Sequence, residues 1–157
     1  MQKITPFLWF NDNAEEAVNF YTSIFRDSKV LNVSRYTEAG PGPVGSVMVE
    51  SFQLNGQTFN AINGGPAFKF SGAISFVINC EDQEEVDYFW DKLSDGGQPQ
   101  DCGWVIDRFG IYWQVTPRQL TEIMAEGDAK KIGRMMTVMF TMKKLNIQQL
   151  VDAANGK

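Results

Sequence analysis

The order of strands and helices predicted from this sequence runs through the chain twice. An apolar strand at residues 4–10 precedes capping residues at 11–13 and an amphipathic helix, whose apolar side chains recur at three- and four-residue spacing. The order restarts at Ala73, with a strand at 74–79 and a second helix that begins near Glu81. The remaining strands are predicted at 29–37, 44–54 and 57–62, and then at 103–108 and 111–116. The pattern therefore predicts two related α/β modules.

Residues at equivalent points of the two modules match, which favours an internal duplication. The first strands and helices match at one constant offset, which pairs Phe7 with Phe76 and Tyr21 with Trp90. The closing hairpins match at a second, smaller offset, which pairs Phe59 with Trp113. Strand–helix units share a general pattern, so part of this agreement could arise by chance.

The length and composition fit one globular domain. The chain has 157 residues, of which 43% are hydrophobic and 21% charged, as in an ordinary globular protein. We expect a single domain over 1–157, made of module one at 1–72, module two at 73–117 and a helical tail at 118–157. Methionines spaced along the tail between Met135 and Met142 predict a packing surface against the body or a second subunit.

Charge and residue counts exclude several classes of function. The net charge is −5 and no long basic run occurs, so nucleic acid binding is not expected. No apolar stretch approaches the roughly 18 residues of a membrane span, and the first residues lack a signal-peptide pattern. We therefore expect no membrane partner and a cytoplasmic location, with Cys80 and Cys102 as free thiols. The sequence has no histidine, which removes Ser-His-Asp and Cys-His catalysis and histidine-dependent zinc sites.

Four sequence motifs are together specific enough for comparison with known families. They are residues 10–17 leading to Phe20-Tyr21, the run Asn63-Gly64-Gly65-Pro66, the acidic run 80–87, and the run Cys102-Gly103-Trp104. These motifs resemble the PhnB-like branch of the vicinal oxygen chelate superfamily, which includes glyoxalase and bleomycin-resistance proteins. The branch is often labelled 3-demethylubiquinone-9 3-methyltransferase.

The resemblance implies a fold, an assembly and a type of site. The implied fold is α+β, with two tandem βαβββ modules that form a curled mixed sheet (the glyoxalase/bleomycin-resistance fold) and a C-terminal helical extension. The implied assembly is a homodimer or a pair of modules enclosing a small-molecule pocket, usually with a divalent metal. We do not expect methyl transfer, because no Gly-x-Gly-x-Gly loop follows a strand to hold a nucleotide cofactor.

The metal positions implied by the resemblance carry no strong ligand in this chain. They fall on Pro6, Asn60, Ser75 and Gln114. A proline side chain offers no donor atom, and neutral amides and hydroxyls are weak ligands for first-row metals. We therefore expect neither a metal nor another cofactor.

Strand alternation predicts which side chains face the implied pocket. One face is expected to carry positions 6, 8, 10, 58, 60, 62, 75, 77, 79, 112, 114 and 116. The opposite set is almost wholly apolar and is expected to pack against the helices. The predicted ligand-binding residues are Phe10, Thr58, Asn60, Ser75, Trp104, Tyr112 and Gln114. A sheet face that is merely solvated would show the same alternation, so this alternative stays open.

Three functions follow as hypotheses. The first is a metal-independent small-molecule binding protein that works as a homodimer. The second is an enzyme of unknown reaction, in which Glu50 or Tyr112 serves as the acid–base group because histidine is absent. The third is a protein-interaction module that docks through its methionine-rich tail.

Overall fold

The computed structural model describes residues 2–157, which divide into two compact units. The first unit ends at Phe70 and the second runs from Ser71 to Lys157. Each unit contains one four-stranded mixed sheet, and each sheet belongs to a βαβββ module. The expected α+β class with two such modules is confirmed.

The first unit has the chain order β1 (Phe7–Phe10), α1 (Ala14–Ile24), β2 (Lys29–Arg35), β3 (Val47–Leu54) and β4 (Gln57–Asn63). Its strands lie in the order β1-β4-β3-β2. The pair β1 and β4 is parallel, whereas β3 is antiparallel to both of its neighbours. Asn55 and Gly56, both with positive φ, make the tight turn between β3 and β4 that the sequence predicts.

Helix α1 covers one face of the first sheet. Its buried residues are Ala14, Ala17, Val18, Tyr21 and Ile24. The buried apolar side chains of the sheet are Leu8, Phe10, Val47, Phe52, Leu54, Phe59 and Ala61. This apolar packing stabilises the unit and leaves the other sheet face without a helix of its own unit.

The second unit repeats the module and adds a helical tail. Its elements are β5 (Phe76–Cys80), α2 (Gln83–Ser94), β6 (Gln98–Pro99), β7 (Trp104–Ile106), β8 (Tyr112–Pro117), α3 (Arg118–Glu126), α4 (Ala129–Met139) and α5 (Ile147–Ala154). The strand order is β5-β8-β7-β6, which matches the first sheet position by position. The short strand β6 lies outside the predicted strands, because two residues give no detectable alternation. Helix α2 buries Val86, Trp90 and Leu93.

The ends of the helices show why these segments fold locally. Asp82 accepts a hydrogen bond from the N–H of Glu85 at the start of α2. Gly127 ends α3 in the left-handed conformation, and the carboxylate of Asp128 accepts from two N–H groups in the first turn of α4. These caps divide the predicted helical tail into separate helices, and α4 stops at Met139, before Met142.

The tail packs within its own unit. Its core consists of Ile123, Met135, Met142, Leu145, Leu150 and Ala154. The segment after α4 is also hydrogen bonded to the module, since Cys102 N donates to Met142 O at 2.8 Å and Gly103 N donates to Lys143 O at 2.8 Å. No helix among residues 2–157 is long and apolar enough to cross a membrane.

Candidate functional site

The helix-free face of the second sheet (hereafter the open face) brings together most of the predicted ligand-binding residues. Gln114 lies at its centre, opposite Val77 of β5 and opposite Trp104 of β7. Tyr112 is two residues before Gln114 on β8 and is half-buried, as Gln114 itself is. The face of β5 and β8 that lies opposite Gln114 carries Ile78 and other buried apolar side chains. The alternation predicted for these two strands is therefore confirmed.

A direct hydrogen bond joins two of the predicted residues. Gln114 Nε2 donates to Ser75 Oγ at 2.8 Å. The ring of Tyr112 packs closely against Gly72, in the segment that precedes β5. A Cβ atom added at Gly72 would lie only 3.2 Å from this ring. These contacts fix an amide, a hydroxyl and an aromatic ring on one surface.

The first sheet carries a similar pair at the equivalent point of its own open face. Ser51 Oγ donates to Asn60 Oδ1 at 2.7 Å, and Phe7, which is 54% exposed, lies opposite Asn60. Thr58 lies on the same face, and Gln2 brackets its backbone by donating to Thr58 O and accepting from Thr58 N. Thus Asn60 and Thr58 share a face as predicted.

Phe10 does not share that face, and the alternation predicted for strand β1 is wrong by one residue. Phe10 is 3% exposed and packs edge-on against Phe70 at a centroid distance of 5.2 Å. The register explains the error, because Phe7 lies opposite Asn60 while Val77 lies opposite Gln114. Phe7 therefore corresponds to Val77, and not to Phe76 as the offset between the two helices predicts.

The metal positions expected from the sequence keep their neutral chemistry in the structure. When the corrected register is continued before the strands, Thr5 rather than Pro6 corresponds to Ser75, so a hydroxyl residue precedes the first strand of each module. Together with Asn60 and Gln114, this set contains no imidazole, thiolate or carboxylate, and it does not fit a first-row divalent metal. Among residues 2–157, no cluster of three or more acidic, cysteine or histidine side chains could hold a metal ion.

Comparison with known proteins shows the family. The family model described as 3-demethylubiquinone-9 3-methyltransferase matches residues 2–116. A PhnB protein from Bacillus cereus is 42% identical in sequence and superposes with a TM-score of 0.67, covering 74% of this chain and 99% of its own. This chain belongs to the 3-demethylubiquinone-9 3-methyltransferase family. The PhnB-like resemblance predicted from the motifs is confirmed.

More distant structures share the fold of this family member. Protein PA1353 from Pseudomonas aeruginosa is 22% identical with a TM-score of 0.62, over 74% of this chain and 98% of its own. The fosfomycin resistance protein FosX from Listeria monocytogenes is 16% identical with a TM-score of 0.56, over 77% of this chain and 94% of its own. No curated protein sequence matches the chain. The family model ends at residue 116, so helices α3 to α5 lie beyond it.

The Asn63-Gly64-Gly65 motif of this family member is a structural clamp around Trp9. Trp9 Nε1 donates to Gly65 O at 2.9 Å, and a Cβ at Gly64 would lie 2.3 Å from the Trp9 ring. The side chain of Asn63 accepts from Ala14 N at 2.8 Å and so takes the capping role that the sequence assigns to residues 11–13. The N–H groups of both glycines donate to backbone carbonyls, so the motif is explained by the chain's own structure.

The two buried carboxyl groups lie away from the open faces. Glu50 is 3% exposed and lies opposite Ala61 on the face that α1 covers, so it does not join Asn60. Asp107 is also 3% exposed and accepts from Trp113 Nε1 at 2.7 Å, together with two backbone N–H groups of the β7–β8 turn. Sequence reasoning misses the contacts of Asp107, although an aspartate just before a tight turn is a recognisable signal for them.

The buried methionines of the tail and Cys102 contribute to the packing of the second unit. Met135 is fully buried and Met142 is 9% exposed within the tail core. Gly103 has φ of +83°, and a Cβ there would lie 2.9 Å from Val115 O and 3.0 Å from Leu145. The lack of a side chain at Gly103 therefore lets the tail pack closely against this position. Cys102 is a free thiol whose backbone N–H holds the same segment.

Proposed function

We propose that this protein binds a small organic molecule through the open faces of its sheets and does so without a resident metal. The observation that supports this most is the pair Gln114 and Ser75, joined at 2.8 Å at the centre of a face that no helix of its unit covers. An amide and a hydroxyl fixed beside aromatic rings suit recognition of a small organic molecule. The pair Asn60 and Ser51 provides a similar arrangement in the first unit.

The donor chemistry supports metal-independent binding. Side chains at the positions where the superfamily usually holds a divalent metal are amides and hydroxyls, which compete poorly with water for such ions. These groups instead make hydrogen bonds to each other, and each retains further hydrogen-bonding capacity. The site then selects a ligand by hydrogen bonds and ring contacts.

We do not extend the methyltransferase description of the family to this chain. A nucleotide cofactor on a strand–loop–helix unit needs glycines, because only they let the backbone approach a phosphate closely. Residues 11–13 connect β1 to α1 and residues 81–82 connect β5 to α2, and neither connection contains glycine. The loops at the helix starts are therefore better suited to capping than to a cofactor.

Thermal shift measurements test the proposal. The purified protein is screened against a metabolite library and, separately, against Mg²⁺, Mn²⁺, Ni²⁺ and Zn²⁺ after treatment with EDTA. We expect at least one organic compound to raise Tm and its effect to be weaker in Gln114→Leu. Gln148→Leu is the matched control, because Gln148 is exposed on α5. A metal-dependent rise in Tm with no response to any organic compound would refute the proposal.

We further propose that the working form is a homodimer. Several large apolar side chains are exposed in each unit, including Ile4 at 85%, Phe68 at 65% and Ile74 at 75%. Contiguous exposed apolar patches mark surfaces at which proteins associate, and these side chains are the candidates for such a patch. Light scattering after gel filtration should give twice the mass of 17.7 kDa at micromolar concentration. A monomer at the highest soluble concentration would contradict the homodimer.

A further inference from the structure

Resting on the binding function proposed above, we propose that the open face of the second sheet takes an electrically neutral ring compound with a hydrogen-bond donor and acceptor side by side, such as a carboxamide or a lactam. Three features of the second unit favour this ligand class: the absence of charge on the described strand residues of the open face, the free polar atoms of Gln114, and the rings beside it.

Among the strand residues that the structure describes, none on the open face of the second sheet carries a charge. The members of this face, identified by strand register around Gln114, are Val77, Asn79, Gln98, Trp104, Ile106, Tyr112, Gln114 and Thr116. An ionised ligand group loses hydration on binding, and this loss is costly when no opposite charge replaces it. The face therefore favours a neutral group over a carboxylate or an ammonium group on the same ring.

Gln114 presents a donor and an acceptor together. One N–H of its amide is used by Ser75, which leaves its Oε1 and its second N–H. Oε1 of Gln114 accepts no hydrogen bond from the described residues, and Ser75 Oγ–H is likewise left to donate. A carboxamide or lactam edge has the complementary pair, since its N–H donates to Oε1 and its carbonyl accepts from the remaining donors.

The neighbours of Gln114 suit a flat apolar ring. Trp104 is its direct partner on β7, and Tyr112 lies two residues away on β8. Both side chains are half-buried, and the Tyr112 ring is backed by Gly72. Val77, opposite Gln114 on β5, is 51% exposed and adds an apolar contact. Aromatic and aliphatic surface around one amide accounts for the ring in the proposed ligand class.

Three probes with the same ring test the inference. We titrate 2-naphthamide, 2-naphthoate and 2-naphthylmethylamine at pH 7 into ¹⁵N-labelled protein and obtain Kd, in the unmodified protein and in each variant, from the backbone amide signals of β7 and β8. The side-chain amide signal of Gln114, assigned by its loss in Gln114→Leu, shows in the unmodified protein whether the probe lies at this residue. We expect the Kd of the naphthamide to be at least about tenfold lower than that of either charged probe. Gln114→Leu should raise that Kd about tenfold, and Gln148→Leu should leave it unchanged.

A second variant keeps the test decisive if Gln114→Leu folds poorly. Gln114→Glu places a carboxylate on the face and should reverse the preference, so that the ammonium probe binds more tightly than the amide. Equal or tighter binding of a charged probe to the unmodified protein would overturn the inference while leaving the binding function intact. Failure of all three probes at millimolar concentration would also overturn it, and the library screen above then decides separately whether the protein binds small molecules at all.

Discussion

Replacement of Glu50 by glutamine should remove a destabilising charge from the first unit. Glu50 is 3% exposed on the face covered by α1, and its Oε2 has no hydrogen-bond partner in the part of the chain that the structure describes. Burial raises the pKa of Glu50 above its ordinary value of 4.5, the negative charge of Glu15 raises it further, and Arg35 opposes both effects. The glutamine side chain keeps the volume and polarity of glutamate, so the substitution isolates the effect of ionisation.

The sign of the pH dependence follows from the raised pKa. Between the ordinary pKa and that of the folded state, the folded protein binds more protons at Glu50 than the unfolded chain does, so stability falls as the pH rises through this window. An unsatisfied buried polar group costs about 1–3 kcal/mol, and a charged one costs more. We therefore expect Glu50→Gln to have nearly the wild-type free energy of unfolding at pH 4 and to exceed it by about 1–3 kcal/mol at pH 8.

Urea unfolding at a series of pH values between 4 and 8 measures this difference. Titrating groups that do not interact with Glu50 contribute equally to both proteins and cancel in the comparison. Glu38→Gln is the matched control, because Glu38 is exposed in the loop between β2 and β3, and its stability should follow that of the wild type. If the difference in stability between Glu50→Gln and wild type stays constant across the series, burial does not make ionisation of this carboxyl group unfavourable, and the reasoning is refuted. A loss of stability at every pH would show that the carboxylate has a favourable partner.

Three further substitutions test the structural contacts by urea unfolding. Gly64→Ala places a methyl group 2.3 Å from the ring of Trp9 and should cost about 1–3 kcal/mol with a changed tryptophan fluorescence; an unchanged spectrum would contradict the clamp. Asp107→Asn replaces one acceptor by a donor facing the N–H of Trp113 or of the turn, and should cost about 1–3 kcal/mol; a neutral effect would mean that these bonds are unimportant. Gly103→Ala strains a φ of +83° and should cost more than about 1 kcal/mol, together with faster hydrogen exchange in the tail; unchanged exchange would mean that the tail packs independently of this glycine.

Local signals account for the parts of the fold that the sequence predicts well. Gly127 and Asp128 specify a helix end followed directly by a helix start, and the structure has both. Asn55 and Gly56 specify a two-residue hairpin, which also fixes the register of β3 and β4. In each case the side chain and the backbone group that it serves are close in sequence. Such contacts need no knowledge of the rest of the molecule.

Contacts between distant segments explain what could not be predicted. Asn63 accepts from Ala14 N across a long stretch of chain, so the helix start could not be assigned to this cap from the sequence. The predicted face of β1 is wrong because three residues connect β1 to α1, whereas two connect β5 to α2. The sequence offset between α1 and α2 is valid only for the helices. When the same offset is applied to the strands before them, the unequal connections shift the alignment by one residue, which assigns every β1 side chain to the opposite face.

The equivalence of Asn60 and Gln114 does not depend on the register of the first strand. Asn60 and Gln114 are equivalent by the hairpins that precede them, in which Gly56 and Gly110 both have positive φ. Only the first-strand partner changes, from proline to Thr5, and this change adds a hydroxyl where a position without a donor is expected. Both modules therefore carry neutral hydrogen-bonding groups at equivalent points. The proposed metal-independent binding rests on this shared chemistry, because amides and hydroxyls recognise ligands by hydrogen bonds and hold first-row metals weakly.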